Sequence, residues 1–282
     1  MEPLVPTDWV AARLDQPGLV VLDASAHLPS AGRDAAADFA AGHIPGARFL
    51  SLGTLTNPDS TVPAAFPTNA QVADRLAAMG VRAGDTIVLY DDSAIRSACR
   101  AWLILTLAGW PDVAVLDGRL AKWRAEGHPL EEGASSADGT AAPSLSGDRG
   151  RVRSKTEMLA NLDRRGEQVV DARDAGRFTG ETEDAVHGLP GGHIPGARNL
   201  FFGDLLHPDG SFRSRGEIAA AFARAGIDPA APLVASCGSG MTASVVLFAH
   251  HLLGHNHGAL YDGSWSEWGA DPATPKETGA AR

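Results

Sequence analysis

Cysteine is scarce in this chain, and its apolar runs are short. The 282 residues include only two cysteines, Cys99 and Cys237, too few for a disulfide framework. The most apolar stretches fall well short of the roughly 20 consecutive residues that a membrane-spanning helix requires. The first residues have neither the basic nor the apolar segment of a secretory signal. We therefore expect a cytoplasmic protein without membrane spans, in which at least one cysteine can act as a free thiol.

Positive charge is also in short supply. Lysine and arginine number 24 against 34 aspartates and glutamates, for a formal net charge of -10 at pH 7. Nucleic-acid binding depends on clusters of lysine and arginine that neutralise phosphates, and no such cluster stands out. The composition, 44% hydrophobic and 21% charged, is that of a globular protein. The negative net charge argues against a nucleic-acid partner. An anionic substrate must therefore be bound by a few local positive groups.

The chain contains an internal duplication. The heptapeptide Gly-His-Ile-Pro-Gly-Ala-Arg occurs at residues 42–48 and again, unchanged, at residues 192–198. Chance does not plausibly produce such a repeat, and self-similarity of this kind indicates repeated structural units. Three further pairs of similar segments follow in the same order: residues 21–24 and 169–172, 86–91 and 232–237, and 117–123 and 262–268. The chain therefore consists of two related copies.

Short apolar runs alternate with amphipathic stretches in each copy, a pattern typical of α/β domains. Continuous apolar strands further indicate a mainly parallel sheet flanked by helices. We predict two tandem α/β domains, over residues 1–130 and 151–282, joined by a linker over residues 131–150. The predicted strands are Leu19–Leu22, Thr86–Tyr90, Val113–Leu116, Gln168–Val170, Leu233–Ala235 and Ala259–Tyr261. The predicted helices include Ala70–Met79, Ser97–Ala108 and Ala243–Leu253.

The two copies differ where chemistry can take place. The strand ending at Ser236 leads into Cys237, whereas the equivalent strand of the first copy leads into Asp91. Glycines let the loop curl so that several amide N–H groups can point at one sulfur. A helix beginning near Met241 adds its positive dipole end, and both effects favour a thiolate nucleophile. The predicted active-site loop is Cys237 with the six residues that follow it, Gly238, Ser239, Gly240, Met241, Thr242 and Ala243.

These motifs resemble one known family. The repeated Gly-His-Ile-Pro-Gly-Ala element, the Cys-Gly-Ser-Gly-Met-Thr-Ala loop and the closing Asp-Gly-Ser-Trp-Ser-Glu-Trp segment are similar to the tandem-domain rhodanese family, which includes 3-mercaptopyruvate and thiosulfate sulfurtransferases. The resemblance implies two rhodanese-like domains, the first catalytically silent, with the active site in the cleft between them. It implies that Cys237 carries sulfur as a persulfide from a small anionic donor to cyanide, a thiol or a thioredoxin-like protein. It implies no metal and no organic cofactor.

The resemblance leaves the sulfur donor open. Arg177 matches an arginine that binds the donor's anionic group in both branches of the family, and Ser239 is a second candidate for substrate binding. The loop is closest to the mercaptopyruvate branch, because the thiosulfate branch has basic residues after the cysteine. The mercaptopyruvate branch also has a second arginine, an aspartate and a histidine, where this chain has Val186, Gly53 and Ala64. Either donor is expected, with a slight preference for 3-mercaptopyruvate.

Other functions are compatible with parts of this pattern. Cysteine-dependent phosphatases and arsenate reductases also place a cysteine in an anion-binding loop, but that loop ends in an arginine where this chain has Ala243. Residues 238–243 also fit a dinucleotide-binding fingerprint, although too few residues follow them for such a domain. A non-enzymatic sulfur carrier is the third alternative. Arg177 can also form a salt bridge within its own domain, and Ser239 can cap the following helix.

Several conspicuous residues are interpreted as structural. Cys99 lies in a predicted apolar helix and is expected to be inert. His43 and His193 occur in both copies although only one copy has the loop cysteine, which favours a shared structural turn. A C-terminal histidine cluster has no carboxylate or thiol to complete a metal site, so no metal is predicted there; its members are His250, His251, His255 and His257.

Overall fold

The computed structural model describes residues 1–135 and 137–281. By their internal contacts the residues divide into two compact units. The first unit consists of residues 1–57, 66–149 and 208–211, and the second of residues 58–65, 150–207 and those from 212 onward. No helix in the described part of the chain is both long enough and apolar enough to span a bilayer.

The first unit contains a five-stranded sheet in which all neighbouring strands are parallel, in the order β1-β5-β4-β2-β3. Its strands are Leu4–Val5 (β1), Leu19–Asp23 (β2), Arg48–Phe49 (β3), Thr86–Tyr90 (β4) and Val113–Leu116 (β5). Its helices are Thr7–Ala11 (α1), Ala35–Ala41 (α2), Asn69–Ala78 (α3), Ala98–Leu107 (α4) and Arg119–Ala125 (α5). Short 3-10 turns cover Pro29–Ala31 and Leu52–Thr54.

The second unit repeats this architecture, with strand order β6-β10-β9-β7-β8 and again only parallel pairs. Its strands are Val152–Arg153 (β6), Gln168–Asp171 (β7), Arg198–Asn199 (β8), Leu233–Ser236 (β9) and Ala259–Tyr261 (β10). Its helices are Lys155–Arg164 (α6), Ala175–Thr179 (α7), Arg215–Arg224 (α8), Ala243–Leu252 (α9) and Ser264–Trp268 (α10), with a 3-10 turn at Phe202–Leu205. The predicted α/β class with parallel sheets is therefore confirmed in both units.

The parallel sheets form because their central strands are apolar on both faces. In β9 every residue is buried, and the helix after it, α9, buries eight of its ten residues. Helices on both faces of a sheet remove such strands from water, which is the arrangement that all-parallel sheets require. Each unit has its own cluster of buried apolar side chains, which includes Trp123 in the first unit and Trp265 and Trp268 in the second. Each sheet therefore has its own core, which supports the loops at the carboxyl ends of its strands.

The repeated heptapeptide forms the same structural turn in both units. The Nδ1–H of His43 donates to the carbonyl of Phe39 at 2.8 Å, and that of His193 donates to the carbonyl of Phe178 at 2.8 Å. Each imidazole also stacks on the phenylalanine ring beside it, with ring centroids 3.9 and 3.8 Å apart. Both histidines are almost fully buried. These contacts account for the motif in both copies without a catalytic role.

The segment predicted as a linker lies against the first unit. The Thr140 N–H donates to the carbonyl of Ala77, and the Gly147 N–H donates to the carbonyl of Ala108. By its internal contacts this segment belongs to the first unit, which includes Phe66–Arg149. The segment is therefore irregular in structure and is attached to the surface of the first unit by backbone hydrogen bonds. It does not behave as a free linker.

Candidate active site

Cys237 directly follows β9, and the loop it opens leads into α9. Ser264, at the start of α10, holds this loop. Its hydroxyl accepts the N–H groups of Cys237 and Gly240, each at 3.1 Å, and donates to the carbonyl of Tyr261 at 2.9 Å. Ser264 has a φ of 49°, a left-handed conformation that costs a non-glycine residue about 1–3 kcal/mol. The surrounding structure therefore maintains local strain at the residue that shapes the loop.

The loop backbone differs in part from the sequence prediction. Several loop amides were expected to point at the sulfur, but those of Cys237 and Gly240 donate to Ser264. Within the described residues, the amides of Gly238, Ser239 and Met241 have no protein acceptor, so they stay available to an anion at this loop. The helix begins at Ala243 rather than near Met241, and no side chain caps it. Capping by Ser239 is therefore not observed.

The Cys237 side chain is enclosed by the loop, and the residue is only 1% exposed. Two further hydrogen bonds fix its backbone environment: the Trp265 N–H donates to the Cys237 carbonyl at 3.0 Å, and the Ser266 N–H donates to the Gly238 carbonyl at 2.8 Å. The first turn of α10 thus binds the loop through two backbone hydrogen bonds. The loop is a rigid, pre-shaped setting for a thiol, rather than a flexible surface segment.

His187 packs directly on the loop, a contact that the sequence analysis does not anticipate. A Cβ atom on Gly238 would lie only 2.2 Å from His187 Cε1, so the imidazole occupies the space that any larger residue at 238 would need. The Nδ1–H of His187 donates to Asp184 at 2.9 Å. Because the carboxylate accepts this hydrogen bond, the ring orientation is fixed and Nε2 is left to face other groups.

Asp184 is the centre of a buried charged cluster beside the loop. Its carboxylate is fully buried and contacts His187, Arg173 at 3.4 Å and Arg177 at 3.6 Å. Burial raises the pKa of Asp184, but the hydrogen bond from His187 and the charges of His187, Arg177 and Arg173 outweigh it and lower the pKa below the usual value. Asp184 therefore remains ionised and can orient all three partners.

Arg177 lies at the partly exposed side of this cluster. Its Nε–H donates to Asp174 at 2.5 Å, and its Nη1 lies 3.6 Å from Asp184. The side chain is 22% exposed. The salt bridges within its own domain that the sequence left open are thus present, yet they engage only part of the guanidinium. The remaining N–H groups suit an external anion.

Arg173 connects the charged cluster to the loop. Its guanidinium is fully buried and donates to both oxygens of the Asp171 carboxylate. It also packs against Trp265, 4.5 Å from the centre of the ring. Burial lowers the pKa of Arg173, but Asp171 and Asp184 more than compensate and raise it above its usual value. The positively charged Arg173 therefore packs against the ring of Trp265, the residue whose N–H donates to the Cys237 carbonyl.

The first unit has a different group at the position of Cys237. Asp91, which follows β4, is fully buried, and its carboxylate accepts the N–H of Ala98 at 2.8 Å and that of Ser93 at 3.3 Å. It also pairs with buried Arg96 at 3.3 Å. A built-in carboxylate therefore accepts loop amides of the first copy, including that of Ser93, whose counterpart Ser239 has an N–H without a protein acceptor among the described residues. Gly53 and Ala64 offer no proton-transferring side chain, and Val186 is an exposed apolar residue.

Known proteins resemble this chain over nearly its whole length. The family model of the rhodanese-like domain matches residues 6–126 and 154–271. The 3-mercaptopyruvate sulfurtransferase of Mus musculus is 38% identical over 271 residues, which cover 94% of this chain and 91% of that protein. The thiosulfate sulfurtransferase of Cricetulus griseus is 35% identical with the same coverage. The crystal structure of SseA, a 3-mercaptopyruvate sulfotransferase of Escherichia coli, matches with a TM-score of 0.84 and 33% identity over 94% of this chain and 99% of that chain. The chain therefore belongs to the rhodanese family, with two tandem rhodanese-like domains.

Proposed function

We propose that this chain is a sulfurtransferase in which Cys237 carries the transferred sulfur as a persulfide. The observation that carries the proposal is the setting of Cys237, at the carboxyl end of a parallel strand and in a loop with backbone N–H groups available to an anion. Such loops stabilise a thiolate or a persulfide anion. The cysteine-dependent phosphatase alternative lacks support, because the position of the clamping arginine is held by fully buried Ala243.

The reaction consists of two transfers. The Cys237 thiolate attacks the outer sulfur of the donor, and the bond between that sulfur and the rest of the donor breaks. With thiosulfate the electron pair leaves on sulfite, and with 3-mercaptopyruvate it leaves as the enolate of pyruvate, which then takes a proton. A thiolate or cyanide next attacks the outer sulfur of the persulfide, and Cys237 departs as a thiolate. The electrons balance within each transfer, so Cys237 returns unchanged without an added reductant.

Cys237→Ser is expected to abolish persulfide formation and sulfur transfer, because a hydroxyl is a far weaker nucleophile than a thiolate. The measurement is the gain of one sulfur atom in the intact mass after donor addition, together with turnover to cyanide. Cys99→Ala is the matched control, since Cys99 is fully buried in α4 and burial raises the pKa of its thiol to about 12. Sulfur transfer by the serine variant would disprove the proposal, and single turnover without catalysis in the native protein would indicate a carrier.

We further propose that Arg177 binds the anionic end of the donor and that Ser239 donates a hydrogen bond to the donor or leaving group. Arg177→Gln is expected to raise the KM of the donor about tenfold or more with a smaller change in kcat, because hydrogen bonds to charged groups contribute about 1.5–3 kcal/mol. Steady-state kinetics measures this split, and Arg213→Gln, which removes an exposed ion pair with Glu217, is the control. An unchanged KM for both donors would remove Arg177 from the binding site.

For the donor, 3-mercaptopyruvate is the better candidate because the two residues after Cys237 are uncharged. A comparison of kcat/KM for 3-mercaptopyruvate and thiosulfate, with one shared acceptor, decides between them. For the acceptor, we propose a cellular thiol or a thioredoxin-like protein, because a thiolate can attack the outer sulfur of the persulfide.

A further inference from the structure

Three histidines of the second unit converge at the end of the sheet opposite to Cys237. His250 lies in the last turn of α9, and His255 and His257 follow in the connection to β10. Their candidate ligand atoms all lie within 4.8 Å of one another. The sequence analysis predicted no metal here because no carboxylate or thiol is present. The fold, however, supplies a third imidazole at the right place.

The spacing of the three rings matches a shared metal ion. Their centroids are 5.0 Å apart for His250 and His255, 4.9 Å for His250 and His257, and 5.6 Å for His255 and His257. Three imidazoles on one tetrahedral zinc, with Zn–N bonds of about 2.0–2.1 Å, place their ring centroids about 5 Å apart. Only small side-chain rotations are then needed to bring the ligand atoms from 4.8 Å to the roughly 3.4 Å of bound ligands.

The hydrogen bonds of two rings leave the correct nitrogen available. His250 Nε2 lies 2.8 Å from the carbonyl of Pro229, and His257 Nε2 lies 3.3 Å from the carbonyl of Ala231. A carbonyl only accepts, so each Nε2 carries the proton, and the Nδ1 of the neutral ring keeps its lone pair. Metal-binding histidines typically donate their second nitrogen to a backbone carbonyl in this way.

The surroundings are otherwise consistent with a site open on one side. His250 is buried, His255 is half-buried and His257 is exposed, so an ion can enter from solvent. The negative end of the α9 dipole favours a cation. The charge of Arg151, whose Nε–H donates to the carbonyl of Gly258 at 2.9 Å, opposes a cation here and is expected to limit the affinity.

We propose that His250, His255 and His257 bind one zinc ion, with the fourth position open to water. Nitrogen-only sets of this type suit zinc among the borderline divalent cations. The ion joins the end of α9, the α9–β10 connection and the residues before β9. It lies at the other end of β9 and α9 from Cys237, so its role is to stabilise this part of the second unit rather than to take part in sulfur transfer.

Zinc titration by calorimetry tests this site in the full-length chain. Cys237→Ser serves as the background, so that the thiol cannot bind the metal. In this background one zinc ion per chain is expected to bind and to raise the Tm. Adding His257→Ala, at an exposed position, should weaken binding tenfold or more and remove the Tm shift, while His207→Ala, elsewhere in the same unit, should not.

Two results would overturn the site: no binding at sub-millimolar zinc, or equal binding by the His257→Ala and His207→Ala variants. Neither result bears on the sulfurtransferase proposal, because sulfur transfer is measured separately with metal-free native protein. If His257→Ala folds less well, titration of His255→Ala provides the second variant, and retention of the full affinity by both would also exclude the site.

Discussion

At the scale of single residues, the contact between Gly238 and His187 makes the size of residue 238 decisive. Gly238→Ala would force its new methyl group against the imidazole, and such overpacking costs about 1–3 kcal/mol. We expect kcat to fall about tenfold while the protein stays folded. Gly216→Ala is the matched control, because a Cβ at Gly216, within α8, meets nothing within 4 Å. Equal kinetics for the two variants would show that the His187 contact does not affect the reaction.

A double variant separates packing from chemistry at the same place. If His187 only fills space, Gly238→Ala combined with His187→Ala should recover the activity that the single Gly238→Ala variant loses. If the imidazole contributes to the reaction, the double variant stays slow, and His187→Ala alone changes the pH profile of kcat. We expect the second outcome, because buried Asp184 fixes the orientation of the ring over the loop.

Sequence reasoning located the nucleophile candidate but not the residues that surround it. Cys237 was predictable because a thiol between a strand and a helix has a local signature. Ser264 binds the loop from the start of α10, and His187 reaches it from the connection after α7. Such contacts depend on how distant segments pack, and local periodicity carries no information about them. The left-handed conformation of Ser264 was equally invisible, because serine has no preference for it.

At the scale of secondary-structure elements, the long central elements were predictable and the short edge strands were not. Strands β4, β5 and β10 have their predicted bounds, and α3 and α4 differ from prediction by one residue at each end. These segments have strong apolar patterns that continue over several residues. The outer strands β1, β3, β6 and β8 have only two residues each. Two residues define no alternation, so only the tertiary pairing reveals them.

Equivalent strand ends carry aspartates with different surroundings. In the second unit Asp171, at the end of β7, is paired with Arg173, whereas Asp23, at the end of β2, is followed by Ser25, which donates its N–H at 2.8 Å. Burial raises the pKa of Asp23 from 3.8 to about 6, although Ser25 and Tyr90 partly oppose the shift. The stability that protonated Asp23 contributes is thus fully present below pH 3.8 and lost as the pH rises through 6.

Asp23→Asn should therefore stabilise the protein more at high pH than at low pH. Because asparagine stays neutral, its advantage in the free energy of unfolding over the native protein is expected to increase by about 2 kcal/mol between pH 4.5 and 7.5. Urea unfolding at the two pH values measures this difference. An advantage that does not change with pH would show that Asp23 has an ordinary pKa in the folded state.

At the scale of the whole molecule, the duplication predicts that the second copy carries out the reaction and the first copy is catalytically silent. Substitutions of Asp91 test this prediction. Asp91→Ala should lower the free energy of unfolding by about 3–5 kcal/mol, because it removes a buried carboxylate that pairs with Arg96 and accepts the N–H of Ala98. The kcat of the folded fraction should not change if the first copy is catalytically silent. Asp91→Asn, which keeps an acceptor oxygen for the loop amides, is the milder control. A lower kcat without a loss of stability would give the first copy a chemical role.

If Cys237 carries sulfur as proposed, its near-complete enclosure also protects the thiol between reaction cycles. A side chain in a residue only 1% exposed is screened from bulky alkylating agents and from the stepwise oxidation that destroys reactive cysteines. In the proposed persulfide the outer sulfur would lie about 2 Å beyond Sγ, so the transferred atom would be less enclosed than the sulfur that must be preserved. The outer sulfur could thus be transferred to an acceptor while the Sγ atom of Cys237 stays protected from oxidation.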